Sequence, residues 1–181
     1  MEKKILNDFC FHKPKTLDEA LVLIDKYQEN GLLMEGGSEV IPNMKLLVVT
    51  PDHIISLKHI PEFDYITYTP GKGLHIGPSC TLTKVEYDPD VQTVYPSLYM
   101  GVHGMSNTNI HNISTVTGNI CYAVPSADTA APLLTLNAEL SVKSVDGERK
   151  VPITELFAGV RRTTLKKNEI VTDIFVPQPD P

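Results

Sequence analysis

The protein has 181 residues, of which 41% are hydrophobic and 21% are charged, a composition typical of a globular domain and unlike that of a disordered chain. Its 22 acidic and 16 basic residues give a net charge of −6, which disfavours a nucleic-acid-binding surface, and no apolar run approaches the roughly 18 residues of a membrane span. Three widely separated cysteines are too few for an iron–sulfur cluster or a cysteine-rich zinc site, and the start of the chain lacks an apolar signal sequence, so we expect a cytoplasmic protein without a metal site of its own.

The first sixty residues predict a small α/β lobe. Thr16 and Glu19 have the spacing of a helix capping box, apolar residues then recur at helical spacing, and Asn30-Gly31 ends the helix. The elements that follow are a buried strand at 32–34, a helix at 39–46 and a strand at 53–57. This order is typical of a small α/β unit with a parallel pair of strands.

From residue 61 the pattern changes to local hairpins mixed with helices. Pro70-Gly71 marks the turn of one hairpin, and Asp146-Gly147 marks the turn of a second one. The predicted helices cover residues 82–87, 96–105 and 128–136, and a last strand covers 169–176. Residues 107–125 show little periodicity and are expected to be irregular. The whole chain is therefore predicted to be α+β, with a small lobe at 1–60, a larger lobe at 61–177 and a tail at 178–181.

Two polar segments stand out as candidates for ligand binding. Gly36-Gly37-Ser38 lies between a strand and a helix, where glycines let backbone N–H groups approach an anion. Residues 109–120 form a dense row of small hydrogen-bonding side chains. Together they suggest a pocket that grips a polyanion with backbone amides and hydroxyl groups. The alternatives are a plain turn capped by Ser38, a polar surface loop, and a helix-capping role for Asp128 in place of a ligand contact.

A series of short motifs runs in order through nearly the whole chain. They are 9–20, Gly36-Gly37-Ser38-Glu39 with Met44-Lys45, 54–57, Ile60-Pro61-Glu62, 74–77 with Thr81-Leu82, 112–119, 125–128, Val151-Pro152 and 157–163. In this order they resemble the FAD-binding subunit of the molybdenum hydroxylases, the xanthine dehydrogenase and carbon monoxide dehydrogenase family.

The resemblance implies a two-lobed FAD-binding fold of the vanillyl-alcohol-oxidase (PCMH) type. FAD would lie between a small βαβ lobe and a larger lobe with an antiparallel sheet, and the family's further C-terminal domain is absent. The residues implied to surround the pyrophosphate from the first lobe are Leu33, Met34, Glu35, Gly36, Gly37, Ser38, Glu39 and Val40. Those implied to meet the cofactor from the second lobe are Thr115, Gly118 and Asn119 at the pyrophosphate, the acidic Asp128, and Met105 and Leu165 near the flavin ring.

The resemblance also implies a division of labour among subunits. A molybdopterin-binding large subunit would hydroxylate the substrate, and a small subunit with two iron–sulfur clusters would pass the electrons to FAD in this chain. NAD or another acceptor would then receive them. The protein would be an oxidoreductase subunit that is inactive without its partners.

Some residues depart from the family pattern. His111 replaces an arginine, Ser114 and Thr117 replace glycines, and Glu35 replaces a small residue. If position 117 requires a positive φ, Thr117 is strained by about 1–2 kcal/mol, and Glu35 adds a negative charge beside the pyrophosphate. These departures keep open the alternative of a flavin-poor scaffold that only docks partner subunits. A free-standing flavin oxidase or reductase with its own substrate is a separate third alternative.

Overall fold

A parallel three-stranded sheet forms the small lobe of the computed structural model, which describes residues 6–179. Its strands are β1 (Cys10–His12), β2 (Gly31–Met34) and β3 (His53–Ser56), in the order β1–β3–β2. Between β1 and β2 lies α1 (Leu17–Lys26), in which the Thr16 side chain accepts a hydrogen bond from the Glu19 N–H, as the capping box predicts. The predicted parallel unit is present, and β1 adds a strand that the sequence patterns did not indicate.

A five-stranded antiparallel sheet forms the larger lobe. The remaining strands of the chain are β4 (Ile66–Thr69), β5 (Gly73–Ile76), β6 (Glu139–Ser144), β7 (Gly147–Pro152), β8 (Phe157–Gly159), β9 (Arg162–Thr163) and β10 (Ile170–Pro177). The sheet has the order β4–β5–β10–β6–β7, while β8 and β9 form a separate pair. Both predicted hairpins are therefore present, and the last strand lies between them.

The helices of the two lobes are short. After β2 comes α2 (Val40–Lys45), and the larger lobe contains α3 (Leu82–Tyr87), α4 (Pro89–Val94), α5 (Pro96–His103), α6 (Thr108–His111), α7 (Val116–Tyr122), α8 (Ala130–Thr135) and α9 (Ile153–Leu156). None of the helices within residues 6–179 has the length and apolar character that a membrane span requires.

The prediction that residues 107–125 are irregular is wrong, because α6 and α7 both lie there. The Asn107 side chain caps α6 by accepting hydrogen bonds from two backbone N–H groups, and the Thr115 side chain caps α7 in the same way. On its inner face α7 buries Val116 and Ile120. The Asn and Thr residues that suggested a loop are therefore caps and helix residues, and two apolar contacts hold the second helix in place.

The apolar residues form two clusters that meet at the start of β10. Ile170 packs in the small-lobe cluster with Ile24 and Ile55, whereas Val171 and Ile174 pack in the cluster of the larger lobe. Phe63 also belongs to the small-lobe cluster. A boundary at residue 60 stays a prediction, since the two lobes share these contacts.

Candidate cofactor site

A cleft of about 870 Å³ runs between the small and larger lobes, a volume in the range of roughly 300–1,000 Å³ that ligand sites occupy. All the residues that the resemblance assigned to FAD lie on its wall: Leu33, Met34, Glu35, Gly36, Gly37, Ser38, Glu39, Val40, Met105, Thr115, Gly118, Asn119, Asp128 and Leu165. The structure thus brings together side chains that are up to 132 positions apart in the chain. Their contact with FAD stays a prediction.

The Gly36-Gly37 turn packs against the second polar segment, at residues 113–114. A Cβ atom on Gly36 would lie 1.7 Å from the Ile113 carbonyl oxygen, so only glycine fits there. Gly37 has φ +75°, a left-handed conformation that glycine adopts without strain. The two segments that were predicted to bind a polyanion therefore pack directly against each other.

Two serines join the same segments. The Ser114 hydroxyl donates a hydrogen bond to Ser38 Oγ over 2.8 Å. The N-cap position of α2 belongs to Glu39, which makes no capping hydrogen bond, so the alternative role of Ser38 as a helix cap is wrong. The Ser38 hydroxyl proton finds no acceptor within residues 6–179 and is free to bind a ligand oxygen.

Thr117 lies inside α7 and shows no positive φ, so the expected strain at this position is wrong. Its side chain is buried, and Oγ1 has no hydrogen-bond partner in the described part of the chain. A buried hydroxyl without a partner costs about 1–3 kcal/mol. Since Thr117 also lines the cleft, we predict that its hydroxyl turns to a ligand oxygen when the cleft is occupied. The sequence indicated only a conformational strain at this position.

Glu35 is largely buried on the same wall. Its Oε2 accepts a hydrogen bond from the Ser79 hydroxyl at 2.7 Å, whereas Oε1 is buried without a partner within residues 6–179. Burial raises the pKa of Glu35 to about 7, against the opposing effect of the Ser79 hydrogen bond. The negative charge expected beside the pyrophosphate is therefore only partly present at neutral pH.

Hydrogen bonds to other parts of the chain fix the residues of the cleft wall around Met105. His111, the residue in place of the family's arginine, contacts Glu86 Oε2 through Nδ1 at 2.8 Å and the Met105 carbonyl oxygen through Nε2. The Asn119 side-chain oxygen accepts hydrogen bonds from Thr129. These contacts fix Met105 and Asn119 at the cleft while their other faces stay available to a ligand.

Asp128 directly precedes Thr129, which occupies the N-cap position of α8. The alternative that Asp128 caps this helix is therefore wrong. Its side chain is exposed on the cleft wall, where a ligand hydroxyl can donate to it. The sequence placed the residue correctly near the helix start but could not tell a capping carboxylate from a free one.

Sequence reasoning missed a basic stretch on the cleft wall. Lys166 and Lys167 line the cleft beside the predicted Leu165, and Lys167 forms a 2.7 Å ion pair with Glu29 of the opposite lobe. The available sequence signal for this stretch was a pair of adjacent lysines in a chain of only 16 basic residues.

Within residues 6–179 no group of three His, Cys, Asp or Glu side chains could hold a metal ion.

The donor set of the cleft fits a dinucleotide. Hydroxyl groups of Ser38 and Thr117 lack acceptors among the described residues, and the glycine turn packs against the backbone of Ile113 and Ser114, just before the start of α7. Phosphate oxygens are the acceptors that such groups bind, and the apolar side chains of Met105 and Leu165 suit the faces of a flavin ring.

Comparison with known proteins supports the same cofactor. The family model described as the FAD binding domain in molybdopterin dehydrogenase matches residues 7–179. The chain is 30% identical over 179 residues to the nicotinate dehydrogenase FAD-subunit of Eubacterium barkeri, covering 97% of this chain and 60% of that protein. It is 32% identical over 175 residues to the xanthine dehydrogenase FAD-binding subunit of Escherichia coli O157:H7, covering 95% and 59%.

A solved structure of carbon monoxide dehydrogenase from Hydrogenophaga pseudoflava matches with a TM-score of 0.93 and 28% identity, covering 97% of this chain and 61% of that one. This similarity confirms the predicted α+β FAD-binding fold. The chain spans about three fifths of the length of these relatives. The protein belongs to the family of FAD-binding domains of molybdopterin dehydrogenases, and FAD is its cofactor.

Proposed function

We propose that this chain is the FAD-binding electron-transfer subunit of a molybdenum hydroxylase. In this role it passes electrons from the iron–sulfur clusters of a partner through FAD to NAD or another acceptor. The observation that carries the proposal is the single cleft in which both polyanion-binding segments meet the residues expected at a flavin ring. Relatives named as the FAD subunits of nicotinate and xanthine dehydrogenases support the assignment.

In the proposed site, the chain binds and orients the cofactor. The Ser38 and Thr117 hydroxyls donate to the pyrophosphate, and Met105 and Leu165 exclude water from the ring. Bound FAD supplies the ability to take up and release electrons singly or in pairs, which no side chain of the protein can supply.

We propose two partners: a molybdopterin-binding large subunit and a small subunit with two iron–sulfur clusters. The thiols of this chain do not supply the clusters' ligands. Its three cysteines are fewer than the four thiolate ligands that one iron–sulfur cluster needs. Cys10 is exposed, and all three cysteines are free, which suits a reducing cytoplasm.

The cofactor step is tested by the absorption spectrum of the purified chain after it is mixed with FAD and desalted. We expect a retained flavin band of about one equivalent. A colourless protein would favour the scaffold alternative, for which the altered second segment was the argument. The helical conformation of Thr117 removes the backbone strain that was one part of that argument.

The electron-transfer step is tested with the assembled enzyme, isolated through an affinity tag on this chain. Molybdenum and iron should copurify, and addition of xanthine or nicotinate should bleach the flavin absorption. The isolated chain should give no bleaching with either compound. Bleaching by the isolated chain would favour a free-standing flavin enzyme.

A further inference from the structure

Glu35 stands at the start of the glycine turn, with each carboxyl oxygen in a different environment. Oε2 accepts the 2.7 Å hydrogen bond from Ser79, whose oxygen also lies 3.4 Å from the Leu57 carbonyl oxygen. Oε1 is buried and has no partner within residues 6–179. Glu35 therefore has one oxygen in contact with a protein hydroxyl and one buried oxygen without a protein partner in that range.

The groups around Glu35 leave its charge poorly compensated. Asp64 repels the ionised carboxylate, Lys58 attracts it, and Cys121 approaches from α7 as a protonated thiol. Asp64 is itself paired with Lys84 at 2.6 Å. Burial raises the pKa of Glu35 to about 7, and Asp64 acts in the same direction. Ionisation near neutral pH would place an unpaired charge on the wall of the cleft.

We propose that FAD binds to the form of the protein in which the Glu35 carboxyl group is neutral, and that ionisation of this group, on the cleft wall at the start of the glycine turn, weakens FAD binding. This inference rests on the proposed function of the cleft. A neutral Glu35 adds no charge to the wall, whereas the ionised form opposes the negative charges of the FAD pyrophosphate.

A proton linkage follows from the preference of FAD for the neutral form of Glu35. FAD binding favours the protonated form of Glu35, so binding above neutral pH takes up a proton from solution. Linkage then requires the dissociation constant to rise with pH, by up to about tenfold per pH unit above the pKa of Glu35 in the FAD-free protein. At acidic pH the constant should not change with pH.

The test compares the parent protein with Glu35→Gln and with Glu62→Gln. Glutamine has nearly the shape of a neutral glutamic acid and cannot ionise, whereas Glu62 is exposed, does not line the cleft and carries the same formal charge. FAD is titrated into each protein between about pH 6 and pH 8.5, with flavin fluorescence as the readout. We expect the parent and Glu62→Gln to lose affinity as pH rises, and Glu35→Gln to bind equally across the range.

Calorimetry in two buffers of different ionisation enthalpy measures the proton uptake directly at about pH 7.5, with uptake expected for the parent and not for Glu35→Gln. Equal pH profiles in these two proteins would overturn the role of Glu35 and leave the FAD site itself intact. Failure of the parent to bind FAD at any pH would overturn both proposals.

A second variant keeps the test decisive if Glu35→Gln does not fold by circular dichroism. Ser79→Ala removes the hydrogen bond that lowers the pKa of Glu35, so the carboxyl group should ionise at higher pH. We expect the loss of FAD affinity to move to higher pH in this variant. An unchanged or lower midpoint would contradict the proposal.

Discussion

The Thr117 hydroxyl is the most informative single group on the cleft wall, because it is buried and has no hydrogen-bond partner within residues 6–179. In Thr117→Val the hydroxyl becomes a methyl group of the same shape. Without FAD, the free energy of unfolding of this variant should equal that of the parent or exceed it by up to about 1 kcal/mol. Its affinity for FAD should fall about tenfold or more, as expected for the loss of a hydrogen bond to a charged group.

Thr135→Val is the matched control for that prediction. The Thr135 hydroxyl donates to the Pro132 carbonyl oxygen at 2.9 Å and lies away from the cleft wall. This variant should lose stability and keep its affinity for FAD. If Thr117→Val is less stable than the parent and binds FAD as tightly, the hydroxyl has a protein partner and no role in binding.

The left-handed conformation of Gly37 leads to a second prediction. Gly37→Val places a β-branched side chain at φ +75°, at a cost of about 1–2 kcal/mol, and distorts the turn on the cleft wall. FAD should be lost on desalting. Gly71→Val carries the same strain at φ +76° in the β4–β5 hairpin, where a Cβ meets nothing within 4 Å. The Gly71→Val variant should have a lower melting temperature but retain FAD. The Arg162→Ala variant should retain both the parent's melting temperature and FAD.

Among the secondary-structure elements, the segment that carries Leu165 depends on one ion pair. Arg149 of β7 binds both carboxylate oxygens of Glu169, each at 2.8 Å, and Glu169 also accepts from the Lys166 N–H. The Arg149 hydrogen bonds lower the pKa of Glu169. Because the native pKa is depressed, the stabilisation is present at neutral pH and is lost as pH falls through that pKa.

Arg149→Gln should therefore lower the free energy of unfolding near pH 7 by about 1–2 kcal/mol, less than for a fully buried pair because solvent screens Arg149. The difference from the parent should shrink in acid, where Glu169 is protonated in both proteins. Thermal unfolding at several pH values checks this. Lys150→Gln, which breaks the exposed pair with Glu139, should leave the melting temperature nearly unchanged, and an equal loss in both variants would contradict the argument.

The elements that the sequence predicted well are those whose pattern is local. The capping box and apolar spacing of α1 and the turn residues of both hairpins contain the whole signal within a few positions. In contrast, β1 has three residues and exists through its pairing with β3, and α7 depends on packing of Val116 and Ile120 against distant elements. Such elements have no local periodicity to detect.

The same distinction applies to the cleft. The glycine turn and the 115–119 region were recognisable from residue types, whereas the Gly36–Ile113 contact, the Ser38–Ser114 hydrogen bond and the buried side of Glu35 arise only in three dimensions. The sequence thus indicated which segments line the cleft. It did not indicate how those segments hold each other.

At the scale of the whole molecule, the cleft forms only when the two lobes are held together. The Lys167–Glu29 pair and the 3.0 Å hydrogen bond from Asn168 to Asp25 join the lobes at one end. FAD at about one hundred times its dissociation constant should add about 2.7 kcal/mol, which raises the melting temperature by roughly 5–10 °C. FMN and riboflavin, which lack the part that reaches across both segments, should raise it less. Equal shifts for all three flavins would argue against a pyrophosphate-centred site.

The position of β10 has a consequence for the folding of the protein during translation. This strand is the last element described, yet it lies between β5 and β6 in the sheet, and its first residue Ile170 completes the apolar cluster of the small lobe. Translation at about 5–20 residues per second leaves both hairpins with an open edge until residues 170–177 emerge. A nascent chain stalled before that point exposes those edges to other chains and cannot yet form the cleft that receives its flavin.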